Sequence, residues 1–124
     1  MCIVSNLNSL RLDLVHKRQF CKILKSNFTL EFLKTLLKHN LIKEFSSESK
    51  YYYKYSWKKY KKFIIVKQLT IFYKSASKLT IKHSTLRHKY SHPLYFILTH
   101  KGILSNKSTL KYGIGGILLC KIIV

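Results

Sequence analysis

Acidic side chains are scarce in this chain of 124 residues: there are 4, Asp13, Glu31, Glu44 and Glu48, against 24 Lys plus Arg, for a formal charge of +20. None follows Glu48, so the C-terminal half lacks the paired carboxylates of general acid–base catalysis. Cysteine is limited to Cys2, Cys21 and Cys120, an odd number without a C-x-x-C pair, which points to neither a disulfide framework nor a zinc site and fits a reducing compartment. No apolar run approaches the roughly 18 residues of a membrane span. The N-terminus also lacks the basic start and long apolar centre of a secretory signal.

What remains is a basic chain that is nonetheless 47% hydrophobic. It has enough apolar material to fold, and its length suits one compact unit or two very small lobes sharing a core. A solvated face normally mixes charge signs. An excess of this size repels itself in the compact state unless a polyanion neutralises it, so the expected partner is nucleic acid.

Leu7, Leu10 and Leu14 share helical spacing with Arg11, Lys17 and Arg18 around them, which predicts a first helix within Asn6 to Arg18 packed by one stripe. The segment is read as structural rather than as a basic targeting helix. Ser26 or Thr29 opens a second helix, with Leu30, Leu33, Leu37 and Leu41 as its expected stripe and Asn40 as a left-handed stop. From Lys50 to Lys67 lysine alternates with tyrosine, tryptophan and aliphatic residues. That pattern predicts paired strands with aromatics on the core side and lysines in solvent. A sharper alternative has the lysines on phosphates and an exposed Tyr or Trp57 stacked on an unpaired base.

Residues Phe96 to Cys120 read FILTHKGILSNKSTLKYGIGGILLC. An apolar strand through Leu98, the polar turn Thr99 to Gly102, and Ile103 and Leu104 make a hairpin signal. Ser105 can cap a helix over Asn106 to Tyr112, and Gly113 stands where a left-handed helix end favours a residue without Cβ. Gly115 and Gly116 permit close backbone approach before the apolar strand Ile117 to Val124. The GIGG segment precedes a strand instead of opening a helix after one, so it is not a dinucleotide fingerprint. His83, His88 and His92 lack the nearby cysteines or carboxylates that would complete a metal site. No serine or cysteine sits in a recognisable nucleophile motif.

This C-terminal block resembles the signature of the eighth small-subunit ribosomal protein, the S-eight family: a strand leading into S-T-S-K-G, a short basic helix, G-[VI]-G-G and a strand ending in cysteine. Thr99, Lys101, Gly102, Lys111, Gly113, Ile114, Gly115, Gly116, Leu118 and Cys120 fall on that pattern without a gap. Leu98 and His100 stand where the family has serines, and Ile117 replaces its glutamate. Lys25 to Phe45 resembles the family's second helix and following strand. Leu69 to Ile81 aligns with I-S-K-P-G-R-R-I-Y, Lys74 and Lys78 taking basic positions while Ser75 and Ala76 replace the Pro-Gly turn.

The resemblance implies an α+β protein of two small lobes, residues 1–66 with two helices on a small sheet and residues 67–124 mostly β with one short helix. It implies a structural constituent of the small ribosomal subunit, not an enzyme, that binds the central domain of the small-subunit rRNA and supports its assembly. Neighbouring small-subunit proteins are implied partners, with no cofactor, small-molecule substrate or membrane. Lys74, Lys78, Lys101, Lys107 and Lys111 would neutralise phosphate, while Thr99, His100 and the Gly115 and Gly116 backbone read shape and 2′-hydroxyls. The competing class is a free basic RNA-binding regulator acting off the ribosome. Abundant Lys, Ile, Tyr, Phe and Asn with few Gly, Ala and Asp suggest an AT-rich genome, and hence an organellar ribosome, a mitochondrial one ahead of a plastid one.

Overall fold

The computed structural model describes residues 3–18, 20–73, 80–81 and 94–124. Lys74, Lys78, the Ser75 and Ala76 substitution and His83, His88 and His92 lie outside the described residues. Backbone packing divides the chain into two compact units that meet between Gln68 and Leu69. The first carries α1 (Ile3–Val15), β1 (Cys21–Leu24), α2 (Asn27–Lys38), β2 (Ile42–Ser47), β3 (Tyr52–Trp57), β4 (Lys59–Tyr60) and β5 (Phe63–Ile64). The second takes up β6 (Gln68–Ile71), which starts at the boundary, then β7 (Thr80–Ile81), β8 (Leu94–Thr99), β9 (Gly102–Ser105), α3 (Asn106–Tyr112) and β10 (Gly116–Ile123). The class is α+β, as expected: helices early, then mostly strands with one short C-terminal helix. No helix among the described residues is long and apolar enough to cross a membrane.

In the first unit β3 is the middle strand of an antiparallel sheet ordered β1-β3-β2, with α1 against β1 and α2 against β2. The leucine stripe of α1 is buried as its spacing predicts, Leu7, Leu10 and Leu14 all being core. Each such burial contributes about 1.5–3 kcal/mol. For α2, Ser26 rather than Thr29 is the cap, its hydroxyl accepting from the Thr29 amide at 3.0 Å, and Asn40 holds φ 59° as a left-handed stop. The expected stripe holds at Leu33 and Leu41, both buried, but not at Leu30 and Leu37. Thr29, Phe32, Leu33 and Leu36 face inward while Leu37 is exposed. Two apolar rows one position apart compete on this helix, and the bulkier row containing Phe32 wins the core.

Asp13 is buried on the same face of α1 as the leucines. The Tyr55 hydroxyl donates to one of its carboxylate oxygens at 2.8 Å and Arg18 pairs with the other at 2.7 Å, so both oxygens are satisfied where an orphaned carboxylate would be costly. Cys21 sits beside this pair, its thiol donating to the Arg18 carbonyl at 3.5 Å. Loss of water around it, and secondarily the Asp13 charge, push that thiol up to about 11. Burial first, and then Asp13, likewise hold the Tyr55 hydroxyl neutral far above its ordinary range.

The run from Lys50 to Lys67 divides in two. In β3, Tyr55 and Trp57 are buried as the alternation predicts, which corrects the base-stacking alternative for Trp57: a ring 2% exposed offers no face to a base. In the β4–β5 hairpin the alternation lapses, and Tyr60 and Phe63 are exposed along with Lys59, Lys61 and Lys62.

The second unit is organised on β10, in a sheet ordered β6-β10-β8-β9 with β7 also paired to β10. Leu118, Leu119, Cys120 and Ile122 are fully buried, which explains a near-continuous apolar run in place of alternation. The register against β8 shifts between Leu118 and Cys120. At this bulge the Leu119 carbonyl accepts from the amides of Phe72 and Tyr73 at 2.9 and 3.1 Å. Tyr95, Ile97 and Leu118 pack with Phe72 and Leu110, so α3 is seated on the sheet by its one long apolar side chain.

Candidate nucleic-acid interface

The β8–β9 hairpin closes on a two-residue loop, Thr99 pairing with Gly102 around His100 and Lys101. Thr99 latches the loop from within: its Oγ1 donates to the Gly102 carbonyl at 2.9 Å and accepts from the Lys101 amide at 3.1 Å. His100 and Lys101 are exposed on the outside of the turn.

From β9 the chain passes directly into α3. The Ser105 hydroxyl accepts from the Ser108 amide at 3.3 Å, satisfying one of the free N–H groups of the first turn. Asn106 and Thr109 are buried polar residues that tie the helix down. The Asn106 side-chain carbonyl accepts from the Tyr95 amide at 3.3 Å and the Thr109 hydroxyl donates to the Asn106 carbonyl at 2.7 Å. Lys107 and Lys111 are exposed and four residues apart, hence on one helix face about a turn from each other. The helix ends on Gly113 at φ 68°, ψ 34°, a conformation that a Cβ would strain.

Two contacts join these parts. The Lys101 ammonium lies 4.4 Å from the centroid of the Tyr112 ring, a cation–π contact that holds the lysine at the turn beside the end of α3. Gly116 lies against β8 so closely that a Cβ there would stand 2.3 Å from the Leu98 carbonyl oxygen. Its lack of a side chain is therefore required by strand packing within the unit. Thr99, His100, Lys101, Lys111, Gly115 and Gly116 are thus gathered around one end of the β8–β10 pairing, with Lys107 one helical turn away. Lys74 and Lys78, the other two expected contacts, fall outside the described residues. Tyr112 was not among the expected site residues. Its only sequence signal is an aromatic ring just before a glycine helix stop.

Electrostatically the arrangement has one sign. From Leu69 to Ile123 there is no Asp or Glu, so no side-chain carboxylate of the unit offsets Lys101, Lys107 or Lys111. The single thiol nearby in the chain, Cys120, is fully buried and held in its neutral form by that burial.

A latched turn bearing Lys101 and a seated short helix bearing Lys107 and Lys111, without acidic side chains in their unit and set beside a glycine-packed strand start, define a small, strongly basic α+β protein. The chain belongs to the ribosomal protein S8 family, whose model matches residues 3–123, and it is accordingly a small-subunit ribosomal protein that binds rRNA. That family is structural rather than enzymatic. No curated protein matches the chain.

Proposed function

We propose that this chain binds the central domain of the small-subunit rRNA and supports the folding of that domain during subunit assembly. The observation that carries the proposal is the fixed relation between turn, helix and strand start, in which Lys101 rests on Tyr112 and Gly116 packs on Leu98. Such a frame meets a backbone of defined shape without reordering, and this reduces the entropic cost of association. Thr99 and His100 approach 2′-hydroxyls and phosphates, the Gly115 and Gly116 backbone lies along a shallow groove, and Lys74, Lys78, Lys101, Lys107 and Lys111 neutralise phosphates. Leu98, His100 and Ile117 stand at positions that are polar in the family signature. The turn therefore supplies placement, while lysines across both units supply more of the affinity.

The nucleotide-composition bias of the residues supports an organellar ribosome, mitochondrial ahead of plastid, and fractionation of cells carrying a tagged chain tests it. The binding proposal is tested by crosslinking the chain to small-subunit rRNA and mapping both partners. Crosslinks from residues 99–116 into the central domain are expected. Crosslinks confined to other rRNA domains, or to free messages off the ribosome, would replace it with another target or with a free regulator.

A further inference from the structure

The strongest concentration of cations outside the C-terminal frame lies in the β4–β5 hairpin and the segment after it, where five of the ten residues from Lys58 to Lys67 are lysine. The same ten residues carry the two most exposed large apolar side chains among the described residues, Phe63 at 77% and Tyr60 at 70%. The two residues are cross-strand partners flanking the turn, Tyr60 pairing with Phe63. The loop between them is Lys61–Lys62, and Lys61 holds φ 59°, a left-handed position that two-residue hairpins usually give to Gly or Asn. A lysine kept at a strained turn and aromatic rings kept in water are both unfavourable for folding alone, and strain of this kind concentrates at functional sites.

Beside the hairpin is a cavity of about 590 Å³, within the range of clefts that take small organic groups. Lys17, Lys59, Lys62 and Lys67 rim it, Phe63 forms a wall and Val66 lies in its apolar floor. None of its lining residues is acidic. Duplex backbone would use the lysines and leave the ring and floor idle. An unpaired nucleotide uses all three: its phosphates meet the ammonium groups, its base stacks on the ring, and its edge covers the apolar floor.

We infer that the β4–β5 hairpin and its adjoining cavity form a second RNA site that takes an unpaired nucleotide, stacked on Phe63 and held through its phosphates by Lys17, Lys59, Lys62 and Lys67. This rests on the rRNA-binding function proposed above and adds to it a site in the first unit that reads single-stranded rather than helical RNA.

The test uses the full chain with two probes, a labelled ten-nucleotide oligouridine and a blunt RNA duplex of equal length. Phe63→Ala should weaken oligouridine binding by about 5- to 160-fold, leave the salt dependence of that binding unchanged, and leave duplex binding unaltered. Phe63→Tyr should restore binding, because it restores the ring. The double variant K59Q/K62Q should reduce the salt slope for oligouridine by about 1.4, the single-strand value for two lost phosphate contacts. The exposure of Phe63 lets thermal unfolding confirm that each variant is folded. Equal oligouridine affinity for wild type and Phe63→Ala would overturn the inference.

If the hairpin variants bind cognate small-subunit rRNA and oligouridine normally but fail to join the subunit, a protein occupies the site and the inference is likewise overturned. If substitutions at Thr99 and His100 leave rRNA binding intact while Phe63→Ala abolishes it, the hairpin site stands and the C-terminal proposal fails.

Discussion

Two hairpins in this chain close on two-residue loops bearing lysine, and they are built in opposite ways. At the β8–β9 turn the loop is latched by Thr99, backed by the sheet centred on β10, and joined to α3 through Lys101 on Tyr112. At the β4–β5 turn there are only two short strands, a strained lysine and two exposed rings. An isolated two-stranded hairpin is marginal by itself. The first turn has few cations on a fixed shape, the second many cations on a small ribbon. Placement on a structured RNA calls for the former. Affinity for a flexible strand calls for the latter, where long side chains and flat rings adapt to whatever backbone arrives.

The contrast breaks most sharply at Gly116. Replacing it by Val forces a Cβ into the Leu98 carbonyl, with backbone on the receiving side, and should cost about 3 kcal/mol or more in urea unfolding. Lys61→Gly at the other hairpin relieves a left-handed residue and should leave stability within about 1 kcal/mol of wild type. A smaller loss is expected in the first unit from Tyr55→Phe, which takes away the buried donor to Asp13 while Arg18, itself half in solvent, remains. About 1–3 kcal/mol by denaturant titration fits one buried acceptor left short of a partner.

Tyr112→Leu sharpens the comparison on the binding side. Without the ring Lys101 keeps its charge but loses its fixed position, so rRNA affinity should fall about 2- to 5-fold with the salt slope unchanged, as expected for an exposed cation–π contact. A final effect concerns pH. The Cys21 thiol is raised from its ordinary 9.0 to about 11 by burial and by Asp13, so the unfolded chain releases this proton first. Its contribution to stability is complete below pH 9 and is lost as pH rises toward about 11. Cys21→Ala should flatten that part of a stability-against-pH curve and lower the plateau below pH 9, where the buried thiol contributes in full.

Much of the C-terminal frame was legible in advance, because its signals are local. The Ser105 cap, a helix over Asn106 to Tyr112, a left-handed Gly113 and the hairpin at Thr99 to Gly102 each depend on residues within a few positions. What escaped depends on partners far along the chain. Asp13 lies on the leucine face of α1, and of the two partners that satisfy its carboxylate, Arg18 is local but Tyr55 stands 42 positions away. Gly115 and Gly116 signal close backbone approach, and only the register of β10 on β8 makes the Leu98 carbonyl the group that Gly116 approaches.

The alternating run from Lys50 to Lys67 reads the same whether its rings face core or solvent. In β3, flanked by two strands, Tyr55 and Trp57 go inward while Tyr52 stays exposed. In β4, paired among the described residues with β5 alone, Tyr60 stays in solvent. The lysines were legible throughout as charge, but which of them surround a cavity was not.

In the proposed function, lysines spread over both units hold the RNA while the C-terminal frame places it. Affinity for small-subunit rRNA as a function of salt tests this most directly. If about 6 to 10 phosphates are engaged, binding should weaken by roughly 10³- to 10⁵-fold between 50 and 200 mM salt, by analogy with duplex DNA. The variants at Thr99 and His100 should lose affinity without changing that slope. A nearly flat salt response in the wild-type chain would contradict the account.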